Sequence, residues 1–244
     1  MTDLATPSIK LKSLSIFFPC YNEEANVERT VREALRVAPL VAEEYEVIAV
    51  DDGSRDQTAA IVRQLMQEDS HVHLVAHKKN KGYGEALKSG FRAAKKQWVF
   101  YTDSDGQFDM QELLPLAART FKADIVSGYR ISRADPWHRK LNAVIFALAL
   151  RVFMGLKIRD VDCAFKIYRR SLFDEIQLNT SSALIDAEVL VKAIKAGFLV
   201  TTMPVTHKPR QAGVQTGAKL HVIFTAMKEF WFLWADVYLN RINS

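Results

Sequence analysis

Trp98-Val99-Phe100-Tyr101-Thr102-Asp103-Ser104-Asp105-Gly106-Gln107 is the stretch on which the fold of this chain turns. Residues 98–101 are apolar and aromatic, as in a short buried strand, and they run straight into two carboxylates one residue apart. Side chains two apart on an extended chain point the same way, so Asp103 and Asp105 converge. Two converging carboxylates make a hard-oxygen site of the kind that takes Mg²⁺ or Mn²⁺, with water and substrate phosphates completing the shell. An isolated Asp-x-Asp serves as readily in a turn or a helix cap. What shares its edge of the fold decides between the two.

Upstream, residues 14–18 form an apolar run that stops at Pro19, and residues 24–37 carry apolar side chains at helical spacing. The pattern recurs as a strand at 45–50, a break at Asp51-Asp52-Gly53-Ser54 and a helix at 58–66. It recurs again as a strand at 72–76 and a helix at 84–94. Strands alternating with helices predict an α/β fold with a mostly parallel sheet and helices on both faces, because parallel strands need long crossovers. Ligands of such sheets gather at the carboxyl ends of the strands. Here those ends are Pro19-Cys20-Tyr21-Asn22-Glu23, Asp51-Asp52-Gly53-Ser54, residues 77–84 and residues 102–107, where polar and glycine residues concentrate.

Downstream of Ile131 the alternation weakens. A basic loop leads into an apolar segment at 141–156, then a strand at 164–168, a helix at 183–196, a strand at 198–203 and an apolar, aromatic end at 220–239. The expected organisation is a mobile tail at 1–12 and one domain at 13–215, with a nucleotide half to 130 and an acceptor half after it. An amphipathic helix at 216–244 follows.

The 244 residues, 49% of them hydrophobic, suffice for one such unit, and no repeat or biased tract suggests a solenoid or linker. Cys20 and Cys163 lie far apart with no zinc-like spacing, which points to a reducing compartment. The absence of a basic-then-apolar start predicts a cytoplasmic protein, and no apolar run approaches the roughly 20 residues a membrane span needs. The net charge of +5 is concentrated: residues 129–170 hold ten Lys/Arg against three Asp. Such an excess suits phosphate groups or an anionic membrane surface, and no nucleic-acid module accompanies it.

Asp51 and Asp52 end an apolar strand where a cap would need only one carboxylate, so a base or ribose contact is the functional alternative. In Asn80-Lys81-Gly82-Tyr83-Gly84, glycines allow close backbone approach to a phosphate at a helix start, although the segment matches neither a Walker loop nor G-x-G-x-x-G. Arg130, Arg133 and Arg139 follow the fifth strand, and guanidinium groups grip phosphate in a bidentate way. A second cationic cluster, His207-Lys208-Pro209-Arg210, follows the last strand. His71 and His73 share a strand face and read as an exposed edge.

Taken together, these segments resemble family 2 glycosyltransferases of GT-A fold, and specifically the dolichol- and polyprenyl-phosphate sugar synthases, over nearly the whole chain. Pro19-Cys20-Tyr21-Asn22-Glu23-Glu24 is similar to the family's P-x-Y-N-E, Val50-Asp51-Asp52-Gly53-Ser54 to its V-D-D-G-S, and Asn80-Lys81-Gly82 to its N-x-G. Their order, ending in Thr102-Asp103-Ser104-Asp105-Gly106-Gln107, is the specific part. Asp160-Val161-Asp162-Cys163-Ala164-Phe165-Lys166 resembles the polyprenyl-phosphate branch's D-x-x-S-G-F-R, with Cys163, Ala164 and Lys166 as departures. Asp186-Ala187-Glu188 resembles the acceptor-side acidic segment, and Arg210-Gln211-Ala212-Gly213 the late R-x-x-G.

The resemblance implies a mixed, Rossmann-like sheet and a nucleotide-sugar donor. Pro19, Tyr21, Glu23 and Asp51 would surround base and ribose, and Asp52, Lys81, Gly82, Asp103, Ser104 and Asp105 would also bind the nucleotide. Asp103, Asp105 and Gln107 would gather Mg²⁺ or Mn²⁺. The acceptor, a polyprenyl phosphate, would meet Gln107, Arg130, Arg133, Arg139, Asp162, Lys166, Asp186, Glu188 and Arg210. A phosphate acceptor is already ionised and needs positioning more than a base. Two rivals remain: transfer to a sugar hydroxyl with Asp186 or Glu188 as base, and a non-catalytic nucleotide-sugar sensor. Peripheral membrane contact through 141–156 and 220–239, and possible self-association, complete the expectations.

Overall fold

A computed structural model of the protein describes residues 10–131, 137–210 and 220–239, with side chains described except at 137–143 and 220–226. The first half alternates as the sequence predicts: β1 (Leu11–Cys20), α1 (Val27–Val41), β2 (Ala42–Asp51), α2 (Thr58–Glu68), β3 (Val72–Ala76), α3 (Tyr83–Ala93) and β4 (Trp98–Thr102). These four strands are parallel, in the order β3-β2-β1-β4. Cys20 pairs opposite Asp51, and Asp51 opposite Ala76, so three strands end flush and deliver their loops to one edge.

The second half comprises a 3₁₀ turn (Met110–Glu112), α4 (Leu113–Ala117), β5 (Ile125–Arg130), α5 (Trp137–Met154) and β6 (Phe165–Arg169). It ends with α6 (Leu172–Glu175), α7 (Ile185–Lys195), β7 (Val200–Val205) and α8 (Leu220–Tyr238). The sheet extends to seven strands, β3-β2-β1-β4-β6-β5-β7, and β6 runs antiparallel to both its neighbours. This is the mixed, helix-flanked sheet of the GT-A class.

Helices cover both faces of the central strands, so β1, β2 and β4 are buried nearly end to end and read as continuous apolar runs rather than alternating ones. Leu14, Ile16, Phe17 and Phe18 of β1 pack with Val47 to Val50 of β2 and Val99 to Tyr101 of β4. Burial of each large side chain contributes about 1.5–3 kcal/mol. Helix α1 presents Val27, Val31, Ala34, Val37, Ala38 and Val41 to this core at three- and four-residue spacing.

Helix α1 begins three residues later than its apolar pattern alone predicts. The Glu23 carbonyl accepts the Asn26 and Val27 N–H groups and holds residues 23–26 in a turn. It also runs past Val37 through Pro39, which withdraws one helical N–H donor from the last turn. The last strand is shifted two residues from the 198–203 expected.

Candidate active site

The acidic loop leaves β4 at Thr102 and is pinned by its middle residue. Ser104 donates its hydroxyl to the Pro19 carbonyl at 2.9 Å, and its own carbonyl accepts from Thr30 Oγ1 at 3.0 Å. That leaves Asp103 and Asp105 to the cleft. Asp105 accepts the Gln107 N–H at 3.1 Å and stands 3.6 Å from Arg210 Nη1, while Arg210 Nη2 pairs with Glu23. The Tyr83 hydroxyl lies 3.4 Å from Asp103 Oδ1.

Burial first, then the charges of Asp105 and Asp186, push the Asp103 carboxyl up to about 7 against the pull of Lys166 and Arg130. Asp105 is raised as well, chiefly by burial. Carboxylates that hold their protons this well in a cleft are short of positive charge. A divalent cation fits that deficit, since the donors are all oxygen. Among the described residues no cluster of three or more His, Cys, Asp or Glu is placed to hold a metal. The rest of the shell would therefore fall to water and phosphate oxygens, as Mg²⁺ and Mn²⁺ prefer.

The loops after β1, β2 and β3 are fastened to one another. Asn22, in the left-handed region at φ 55°, donates its N–H to Ser54 Oγ at 2.9 Å, and its side-chain oxygen accepts the Arg55 N–H at 2.9 Å. Asp51 accepts the Ser54 N–H at 3.1 Å. Gly53 turns at φ +70°, where an added Cβ would meet the Lys79 carbonyl carbon at 2.4 Å, so only glycine lets the second and third loops touch. Pro19 and Tyr21 are half-buried beside these turns, and Lys81 is exposed.

Asp52 is engaged by the loop after β3. Its oxygens accept the Lys81 and Gly82 N–H groups at 2.9 and 2.8 Å and meet His77 Nδ1 at 2.6 Å. His77 in turn reaches Ser89 Oγ at 2.9 Å. Asp52 is thus the organiser of the loop after β3, and His77, which carried no signal of its own in the sequence, is its partner.

The residues expected on the acceptor side are held by ion pairs across long stretches of chain. Asp160 grips Arg130 in a bidentate way, Oδ1 to Nη2 at 2.6 Å and Oδ2 to Nε at 2.8 Å, which fixes the guanidinium plane at the cleft wall. Lys166 is fully buried, its ammonium 2.5 Å from Asp186 Oδ1 and 3.0 Å from the Tyr101 hydroxyl, which itself donates to Asp186. Glu188 is also fully buried. It accepts from the Asn179 and Thr180 N–H groups at 2.8 and 2.9 Å and from Thr180 Oγ1 at 2.6 Å, and it pairs with Lys192 at 2.8 Å.

Gln107 is tied to the segment after β7, donating to the Lys208 carbonyl at 2.9 Å and accepting the Lys208 N–H at 2.7 Å. Asp162 is exposed at its surface and lies near Asp186, Lys166 and Arg130; the protein around it, then Asp186, push its carboxyl up to about 6 against Lys166 and Arg130. Arg133 lies outside the described residues, and Arg139 falls within α5 with its side chain outside them. The structure therefore brings Glu23, Asp105 and Arg210 together, with Asp103 two residues away in the same loop. It sets Ser104, Asp52, Lys166 and Glu188 behind the cleft wall as supports.

Known proteins agree with this architecture. The model of "Glycosyl transferase family 2" matches residues 15–177, and the chain belongs to that family. Its relatives include glycosyltransferase AglD of Haloferax volcanii, 31% identical over 81% of this chain and 33% of that protein. Another is an undecaprenyl-phosphate 4-deoxy-4-formamido-L-arabinose transferase of Proteus mirabilis, 30% identical over 68% of this chain and 51% of that protein. The chain thus spans a third to about half the length of these two relatives. Among solved structures, glucosyl-3-phosphoglycerate synthase from Mycobacterium tuberculosis with Mn²⁺, UDP and glucosyl-3-phosphoglycerate superposes at a TM-score of 0.69. The identity is 16%, over 93% of this chain and 80% of that one, a likeness of fold.

Proposed function

We propose that this chain transfers a sugar from a nucleoside diphosphate sugar to a polyprenyl phosphate at a membrane surface, with inversion at the anomeric carbon. The observation that carries the acceptor class is the commitment of both candidate bases on α7. Asp186 is spent on Lys166 and Tyr101, and Glu188 on Thr180, Asn179 and Lys192. A hydroxyl acceptor needs a base in the cleft, whereas a phosphate arrives ionised. The undecaprenyl-phosphate acceptor in the name of the Proteus relative supports the same reading.

Residues 13–130 form the donor half and residues 131–215 the acceptor half. Asp51, with Pro19 and Tyr21, lines the base and ribose side, and Asp103 and Asp105 hold Mg²⁺ or Mn²⁺ against the diphosphate. The metal would neutralise the departing nucleoside diphosphate. Arg210, already between Glu23 and Asp105, is placed to change partners when donor phosphates and acceptor arrive. Arg130, held flat by Asp160, and Arg133 offset repulsion between acceptor and donor phosphates. The phosphate oxygen then attacks the anomeric carbon in line with the breaking bond.

No described helix is long and apolar enough to cross a membrane. The acceptor is met at the bilayer surface by α5 and α8, whose exposed apolar residues are accompanied by the basic 129–170 segment.

Purified protein given several nucleotide-sugars, short polyprenyl phosphates and saccharides tests this. Labelled product is expected on the polyprenyl phosphate; product on saccharides alone, or none with any donor, overturns it. Among the described residues outside the acidic loop, Asp162 is a carboxylate that a hydroxyl acceptor could recruit. The substitution Asp162→Asn is expected to change kcat less than about tenfold, against the 10²–10⁴-fold typical of a lost general base.

A further inference from the structure

Two helix starts reach toward the acidic loop, and both rest on one short segment. Helix α3 starts with Tyr83, whose hydroxyl approaches Asp103, and with Gly84, whose N–H donates to the Ser181 carbonyl at 3.1 Å. The fit is close: a Cβ on Gly84 would lie 2.5 Å from the Ser181 carbonyl carbon. Helix α7 begins just after Ser182, whose hydroxyl accepts the Leu184 N–H at 3.2 Å, and carries Asp186 in its first turn. The Ser181-Ser182 pair is therefore a shared footing for Tyr83 and for the Asp186–Lys166–Tyr101 cluster.

That footing is gripped by a single carboxylate from the far end of the chain. Glu229 of α8 accepts from Ser181 N and Oγ at 2.9 and 2.7 Å with one oxygen, and from Ser182 N and Oγ at 3.1 and 2.5 Å with the other. One helical turn pair later, Asp236 accepts from Asn179 Nδ2 at 3.2 Å and pairs with Lys192 of α7 at 2.7 Å. Phe230, Leu233 and Val237 bury the inner face of α8.

The outer face is apolar and uncovered. Met227, Trp231 and Phe232 are 58%, 53% and 64% exposed. They continue the face of α5 formed by Val144, Ile145, Leu148 and Val152, which are also exposed, and Phe153 of α5 packs edge-on to Trp231 at 5.3 Å. The occupant this face fits is an anionic phospholipid bilayer. Arg151 of α5, with Lys157 and Arg159 just after it, is exposed and supplies positive charge that complements lipid phosphates, and aromatic and aliphatic side chains suit the headgroup boundary.

We propose that Glu229 is a positioning residue that ties the seating of α8 on an anionic bilayer to the geometry of the catalytic cleft. The proposal rests on the membrane-surface reading above. Lipid holds the outer face of α8, Glu229 on the same helix holds Ser181 and Ser182, and these set the starts of α3 and α7 against the acidic loop. Coupling runs through hydrogen-bonded elements already in contact, and it requires that α8 be more ordered on lipid than in water.

The test uses the whole chain with a short, water-soluble polyprenyl phosphate, so that lipid is not needed to present the acceptor. Wild type and Glu229→Gln are compared with and without vesicles of phosphatidylcholine and phosphatidylglycerol. Flotation, kcat, KM and amide hydrogen exchange over residues 179–188 and 82–90 are recorded. Wild type is expected to float with the vesicles, to gain about fivefold or more in kcat with KM for the nucleotide-sugar little changed, and to exchange more slowly in both segments. Glu229→Gln is expected to float equally yet show neither the gain nor the protection.

Equal stimulation of the variant overturns the proposal, as does a wild type that floats with no change in kcat or exchange. A wild type that fails to float overturns the membrane reading itself, and flotation is recorded separately from rate. Should Glu229→Gln fold poorly, Ser181→Ala/Ser182→Ala, which keeps the backbone bonds, is expected to show a reduced gain; an undiminished one counts against the proposal.

Discussion

The two sides of the cleft proposed for donor and acceptor are built in different ways. On the donor side, neighbouring loops exchange short bonds between backbone N–H groups and Asn22, Asp51, Asp52 and Ser54, and one glycine lets two loops touch. On the acceptor side, ionisable side chains are held across the fold: Arg130 by Asp160, Lys166 by Asp186, and Glu229 by two serines. Turn chemistry fastens the proposed nucleotide side at small cost per bond. Buried charge makes a wall that stands only while every partner is present.

The sharpest way to break this contrast is at Lys166. Replacing it with Met leaves Asp186 buried without its cation and is expected to cost about 3–5 kcal/mol in urea denaturation. The double variant Lys166→Met/Asp186→Leu should recover at least half of that. A single variant as stable as wild type would show that the wall does not depend on its charges.

Next in size is the acidic loop, where the halves meet. Asp103→Ala and Asp105→Ala are each expected to lower transfer about 10²–10³-fold at saturating nucleotide-sugar, on the scale of losing a transition-state electrostatic contact. Metal-dependent binding of the nucleoside diphosphate should fall with it in calorimetry. Near-normal transfer by either variant would remove the metal assignment.

A smaller effect tests the donor side alone. Gly53→Ala forces a Cβ against Lys79 at a left-handed position and is expected to cost about 1–3 kcal/mol of stability. It should raise KM for the nucleotide-sugar while leaving binding to vesicles intact. An unchanged KM would uncouple the loops after β2 and β3.

The mildest prediction concerns pH. The Asp103 carboxyl is raised to about 7, so the folded state favours its protonated form. Its ionisation therefore erodes stability as pH climbs from the unfolded value near 4 through about 7, and a cation that needs the ionised form restores it. Affinity for Mn²⁺ is expected to fall about tenfold per pH unit below 7 and to level off above it, read as a thermal shift with and without the metal. A flat response between pH 5.5 and 8 would contradict the burial of Asp103.

The same contrast explains what was legible in the sequence. Strands β1 to β4 and the loops after them follow from local pattern, because parallel strands buried on both faces are continuous apolar runs and their turns use Asn, Asp, Gly and Ser in fixed order. Position at a strand end likewise picked out Asp103 and Asp105. The roles of Asp52, Lys166 and Glu188 did not show, since each depends on partners 8 to 30 residues away or more. Nothing near Glu229 in sequence hints at Ser181, 48 residues earlier, and nothing near Tyr83 hints at Asp103. The reversed direction of β6 was equally silent: its five residues read the same in either orientation.

That reversed strand has a consequence for how the molecule is made. β4 pairs with β1 on one side and, on the other, only with β6, which begins 63 residues after β4 ends. During synthesis the strand that carries the acidic loop thus stays an open apolar edge until residues 165–169 have left the ribosome. A nascent chain halted before that point displays Trp98 to Thr102 to any neighbour with a free edge of its own. Shortened forms ending near residue 130 belong in inclusion bodies, and the completed sheet is their cure.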